Sequence, residues 1–237
     1  MNSPKLKFSF DSKVEHKIAW NFYNDQTFGG VNFWEKGALQ YHPDLISLEK
    51  VKNKKSFLAD YIFSLYQKHN SEFNSQKKEI VNLYNEKERM FFSEMEKIFK
   101  DHLWPRGRYV VYLSIFDFCP RFLDNKTFFI FMYDHDNEIL FTIFHEMLHF
   151  IFYDYCLVKY PSMFKNQDTE KGPFWEIAEL FNAVIQQTSD FAKLHQPLDS
   201  IGYPELKQKF NIAKKIWDGN IDNWITKFAI NYIEDYN

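Results

Sequence analysis

From Ile139 to Val158 the chain is almost continuously apolar, and this stretch restricts the possible folds more than any other part of the sequence. It is long enough to cross a bilayer. Yet it carries His145, Glu146, His149 and Asp154. Charges at mid-membrane are unfavourable and would imply several further spans, and no other segment here could supply one. The reading is therefore a buried central helix, apolar nearly all round, in a protein that makes no use of a membrane. No Lys or Arg stands anywhere from Glu138 to Leu157. Burying a glutamate between two histidines is unfavourable unless a cation from elsewhere joins them.

The rest of the chain frames this helix. Lys5 to Phe10 alternates apolar and polar residues as a strand does. Residues 17–45 mix aromatic clusters with turn signals at Gly29, Gly30 and Pro43, which suits short strands or hairpins. Apolar residues recur at helical spacing from Ser56 to Lys68 and again from Glu72 to Lys100, and Pro105 and Gly107 end the second run. Arg108 to Phe116 and Lys126 to Tyr133 are rich in Val, Ile, Tyr and Phe and read as strands. Asp134, Asp136 and Asn137 can cap the apolar helix, and His135 belongs with that cap. A polar loop from Tyr160 to Gly172 leads to Pro173, which suits the first residue of a helix running to about Gln187. Two more helices are predicted, Glu205 to Trp217 and Ile221 to Ile233.

This order predicts an α+β fold. It suggests one domain over residues 1–237, with an N-terminal strand and helix lobe to about 107 and the central helix with its sheet in 108–237. The 27 Phe, 14 Tyr and 6 Trp provide ample core for such a domain.

Charge and cysteine usage exclude some functions. The net charge is −3, and the nearest thing to a basic cluster, Lys50, Lys52, Lys54 and Lys55, opens an amphipathic segment. Nucleic-acid binding is not expected. Cys119 and Cys156 have neither metal-ligand nor disulfide-framework spacing. Met1 to Asp11 lacks the hydrophobic run of a secretory signal, so the expected location is cytoplasmic.

The chemistry lies in His145, Glu146 and His149. Two histidines four apart on a helix sit about 40° apart around its axis and about 6 Å along it. Both rings can then reach one ion at about 2.0–2.1 Å. Glu146 points beside that ion, where a general base acting on a metal-bound water must stand. From the chain's own His and Glu content, a chance HExxH match is expected at roughly 0.02 per chain.

The stretch from Thr142 to Ile151 resembles the extended signature of zincin metallopeptidases. Thr142 stands three before the first His; Ile143, Met147, Leu148 and Phe150 are uncharged; Ile151 closes the motif. The resemblance implies a zincin-like fold: a small mixed sheet whose edge strand, here Lys126 to Tyr133, precedes the active-site helix, with a helical C-terminal part. In the family such an edge holds an extended peptide, a mode that strand addition explains. It also implies Zn2+ with a third protein ligand. The metzincin pattern is absent, because Phe152 and Tyr155 stand where its Gly and third His belong. The gluzincin pattern takes a Glu from a following helix. Glu179, set among Ile177, Ala178, Leu180 and Phe181, is favoured, and Glu176 in the first turn is the alternative. The family's Asp four residues after that ligand is missing, Ala183 or Leu180 standing there instead. Asn182 or Asp154 could take over its role of orienting a His ligand. A Tyr or His further along stabilises the oxyanion in gluzincins, and Tyr203 and His195 are the candidates.

The activity so implied is peptide-bond hydrolysis by metal-activated water with Glu146 as base. The aminopeptidase motif is absent, and the substrate is a peptide or protein. The alternative is a zincin-fold regulatory protein that binds zinc and turns over one partner, or none.

Overall fold

The computed structural model describes residues 3–28, 30–197 and 203–236. Their contacts divide the chain into two compact units. One comprises Lys5–Tyr84 and Arg108–Ile139; the other comprises Met1–Pro4, Asn85–Gly107 and Leu140–Asn237. This division differs from a lobe boundary at 107. The first strand pairs with the strand that begins at Tyr109, which ties the N-terminal segment to residues beyond 107.

The sheet-bearing unit contains β1 (Leu6–Ser9), α1 (Ser12–Asn24), β2 (Thr27–Phe28), β3 (Val31–Asn32), α2 (Lys54–Lys68) and the start of α3 (Asn70–Phe99). It continues through β4 (Tyr109–Ser114), β5 (Arg121–Phe122), β6 (Thr127–Phe131) and the start of α4 (Asp136–Lys159). A π-helical turn, Trp34–Leu39, and a 3-10 segment, Pro43–Lys50, connect β3 to α2. The larger sheet has the order β1–β4–β6–β5. β1, β4 and β6 run parallel, and β5 is antiparallel to β6. β2 and β3 form a separate hairpin. Strands and helices on this scale fit the expected α+β class.

Two expectations need correction here. The strand before the central helix is not an edge strand: β6 pairs with β4 along Thr127 to Phe131 and with β5 at Thr127 and Phe128. Its composition explains this. Phe128, Phe129, Ile130 and Phe131 are all buried, so both faces of the strand are covered. A continuous apolar run is the mark of an interior strand, whereas an edge strand blunts itself with polar residues. The second correction is partial: within residues 17–45 the expected short strands form the β2–β3 hairpin, but α1 occupies the first part of the stretch. Its start is set by Asp11, whose carboxylate accepts from Lys13 N at 2.9 Å and Val14 N at 3.1 Å. Aromatic abundance in this stretch was a poor guide, because Phe22 serves a helix and stacks on Phe118 at 4.4 Å. Gly29 of the expected turn lies outside the described residues.

The second unit is helical. It holds the end of α3, most of α4, α5 (Pro161–Phe164), α6 (Gly172–Gln186), α7 (Lys207–Ile216), α8 (Ile221–Trp224) and α9 (Ile230–Tyr236). α3 stops at Phe99, one residue short of the expected Lys100, which takes a left-handed φ of 55°. α4 starts where His135 O accepts from Ile139 N at 3.0 Å, which puts His135 at its cap. Ile143, Phe144, Met147, Leu148, Ile151 and Phe152 are fully buried, so α4 is enclosed by the unit. Phe144 stacks on Phe91 at 4.6 Å, and Phe152 stacks on Phe181 of α6 at 4.3 Å. Among the described residues no helix is long and apolar enough to cross a membrane.

Candidate metal centre

α4 and α6 between them bring three metal-ligating side chains together. His145 Nε2 and His149 Nε2 are 3.0 Å apart. Glu179 Oε2 lies 3.2 Å from His145 Nε2, and Glu179 Oε1 lies 3.3 Å from His149 Nε2. Among the described residues this is the one group of three or more His, Cys, Asp or Glu side chains able to hold a metal ion. Ligands at about 2.0–2.1 Å from a tetrahedral zinc lie about 3.3 Å from each other. The Nε2–Nε2 separation is close to that edge, the carboxylate turns one oxygen toward each ring, and two imidazoles with one carboxylate are a known catalytic zinc set. The residues therefore fit a zinc ion.

The helices explain why these atoms meet. The spacing of four puts both imidazoles on one side of α4. α6 is buried along nearly its whole length and presents Glu179, Asn182 and Gln186 at 6%, 0% and 0% exposure. Positions three and seven along a helix fall on one face, so these polar residues form a single stripe.

Each group of that stripe meets α4. Asn182 Nδ2 donates to His145 O at 2.9 Å. Gln186 Nε2 donates to Phe141 O at 2.9 Å, and Gln186 Oε1 lies 2.9 Å from His145 Nδ1. The Phe141 carbonyl fixes which end of the amide is which, since only the NH2 can donate to it. Gln186 Oε1 accepts only, so His145 Nδ1 carries the hydrogen and Nε2 carries the lone pair. Phe141 lies flat against His145 with centroids 5.8 Å apart, and Tyr153 lies flat against His149 at 5.7 Å.

Charge in the site is strongly coupled. Burial pulls the His145 imidazole toward neutrality, but the Glu179 carboxylate bonded to it prevails and holds its pKa above the ordinary value. Burial pushes the Glu179 carboxyl up, and His149 and His145 together overcome this and hold it well below the usual carboxylate range. A buried carboxylate against two imidazoles demands positive charge, as a proton or as a metal ion. Glu146 is buried at 6% exposure, one residue on from His145.

The other candidates lie elsewhere. Glu176 pairs with Lys209 Nζ at 2.6 Å and hydrogen-bonds Tyr232 OH, so it does not join the histidines. Asp154 pairs with His102 Nε2 at 2.8 Å and orients neither His ligand. Asn182 holds the His145 backbone, not its ring. Tyr203 packs edge-on against Trp175 at 4.8 Å. His195 is buried behind the site, its Nε2 3.4 Å from Gln186 Nε2 and its Nδ1 3.0 Å from Gln196 O. Burial lowers its pKa despite the bond to Gln196 O. Gln186 was missed in the sequence, although a polar residue in register with Glu179 and Asn182 on an otherwise apolar helix was the available signal.

Comparisons with protein-family models, curated proteins and solved structures found no match to this chain.

Proposed function

We propose that this protein is a zinc-dependent hydrolase that cleaves peptide bonds, with His145, His149 and Glu179 as the metal ligands. The observation that carries the reading is the convergence of two Nε2 atoms and one carboxylate at 3.0–3.3 Å, with the buried Glu146 one residue on from His145. Zinc bound there would act as a Lewis acid and lower the pKa of a bound water to about 7. Glu146 takes the proton from the attacking water and delivers it to the leaving amine. The two imidazoles act as neutral ligands, with His145 held in the required tautomer. Glu179 supplies the negative charge that a dication needs in a buried site. His145 is 19% exposed and is the one ligand with appreciable access to solvent, whereas His149 is 0% exposed. Substrate therefore approaches from the His145 side.

Elemental analysis of the purified protein, combined with hydrolysis of a diverse peptide library, tests this reading. About one zinc per chain and peptide cleavage that Glu146→Gln abolishes are expected. Zinc without cleavage would move the protein to the alternative of a zinc-binding regulatory module with one partner or none. No zinc after incubation with excess metal would remove both.

A further inference from the structure

We infer that Gln186 is a positioning residue for the metal centre: its side-chain oxygen holds His145 in the Nδ1–H tautomer and so aims the Nε2 lone pair at the ion. The inference rests on the reading of His145, His149 and Glu179 as metal ligands and extends it to a residue with no ligating role.

Three observations support it. The Gln186 amide is fully buried and cannot turn to water for partners. Its NH2 is committed to Phe141 O at 2.9 Å, which leaves Oε1 facing His145 Nδ1 at 2.9 Å. His195 Nε2 stands 3.4 Å from the same NH2 and closes the back of the amide. Gln186 thus anchors its NH2 on one carbonyl of α4, one turn before the imidazole that its oxygen orients. A metal-bound imidazole commonly donates its other N–H to an acceptor that fixes the ring.

A neutral acceptor also suits the charge balance. Glu179 and Glu146 already place two carboxylates in a buried site without Lys or Arg on α4 from Glu138 to Leu157. A divalent ion balances these two. An amide orients the ring without adding charge of its own.

The test compares wild type with Gln186→Met, which fills similar space without a strong acceptor, and Gln186→Glu, which keeps the acceptor and can donate to Phe141 O when protonated. Zinc affinity is read by competition with a chromophoric chelator, and ligand geometry by the visible absorption of the cobalt(II) form. Gln186→Met is expected to bind zinc roughly 10–100-fold more weakly with displaced cobalt bands, while Gln186→Glu stays near wild type. Wild-type affinity and bands in Gln186→Met, or a Gln186→Glu variant as weak as Gln186→Met, would overturn the inference. Nitrogen-15 imidazole shifts of the zinc-loaded wild type decide it even if a variant does not fold. His145 protonated on Nδ1 is expected, and protonation on Nε2 overturns it. A wild type that binds neither metal shows a different failure, that of the metal centre itself, and takes this inference with it.

Discussion

His145 Nε2 and His149 Nε2 face each other across 3.0 Å, with the Glu179 carboxylate spanning both. Two Nε2 atoms this close cannot both turn bare lone pairs on each other: a proton on one of them or a metal ion between them relieves it, and α4 carries no Lys or Arg from Glu138 to Leu157. Loss of either imidazole or of the carboxylate should therefore abolish the site. His149→Ala and Glu179→Gln are expected to lose bound zinc, whereas Glu176→Gln keeps it, because Glu176 is engaged with Lys209. Metal content of the four proteins, each checked for folding by circular dichroism, decides the point.

Glu146 should be separable from metal binding. Glu146→Gln is expected to retain about one zinc per chain and to lose roughly 10²–10⁴-fold in peptide hydrolysis, the usual contribution of a positioned base. A variant with unchanged turnover would remove Glu146 from the chemistry.

Protons and the ion compete for the same nitrogen lone pairs. Glu179 holds the His145 pKa above its ordinary value, so protonation reaches the site sooner on acidification. Zinc affinity should fall as pH drops from about 7.5 to 5.5, with protons released on binding at neutral pH. Isothermal titration in buffers of different ionisation enthalpy measures both effects. Pure enthalpy differences without proton release would contradict this.

A second titration lies in the sheet-bearing unit. Burial pushes Glu15 from 4.5 up to about 7, although Ser114 Oγ donates to it at 2.7 Å and Tyr66 OH at 3.1 Å. The folded protein thus prefers the protonated carboxyl. Its contribution to stability is complete below the unfolded value of 4.5 and is lost as pH rises through about 7. The swing amounts to about 3 kcal/mol. Asp134, raised to about 7 by burial, Asp117 and Glu138, adds a term of the same sign. Glu15→Gln should therefore gain stability relative to wild type as pH rises from 5 to 8. Urea unfolding of both proteins at each pH isolates the difference, and parallel curves would refute the assignment.

Gly37 should tolerate no side chain. A Cβ there would stand 2.3 Å from Asp117 O and 2.8 Å from Phe118 Cδ1. The first is backbone, bound in turn by Asp117 N donating to Gly37 O at 2.9 Å, and cannot simply move aside. Gly37→Ala is expected to destabilise the protein by about 1–3 kcal/mol, read as a lower urea midpoint.

What the sequence determined by itself was local. The i, i+4 spacing of His145 and His149 settles their separation once the segment is helical, and the run from Ile139 to Val158 could only be a buried helix. Pro173 marked the start of α6 for the same reason, since a proline's fixed φ acts within one turn. Choices between elements were not legible. Glu176 and Glu179 lie only about 60° apart around one helix, and their surroundings decided between them: Lys209 from α7 engages the first, while the histidines of α4 meet the second. Asn182 and Asp154 were reasonable partners for a His ring, yet the depth of α6 against α4 gave that place to Gln186. β6 became interior because β5, only two residues long, adds to its outer side, a pairing that no local pattern announces. Helix geometry is written in spacing along the chain; which side chains meet across two helices, or which strand has two neighbours, depends on packing that only the folded chain defines.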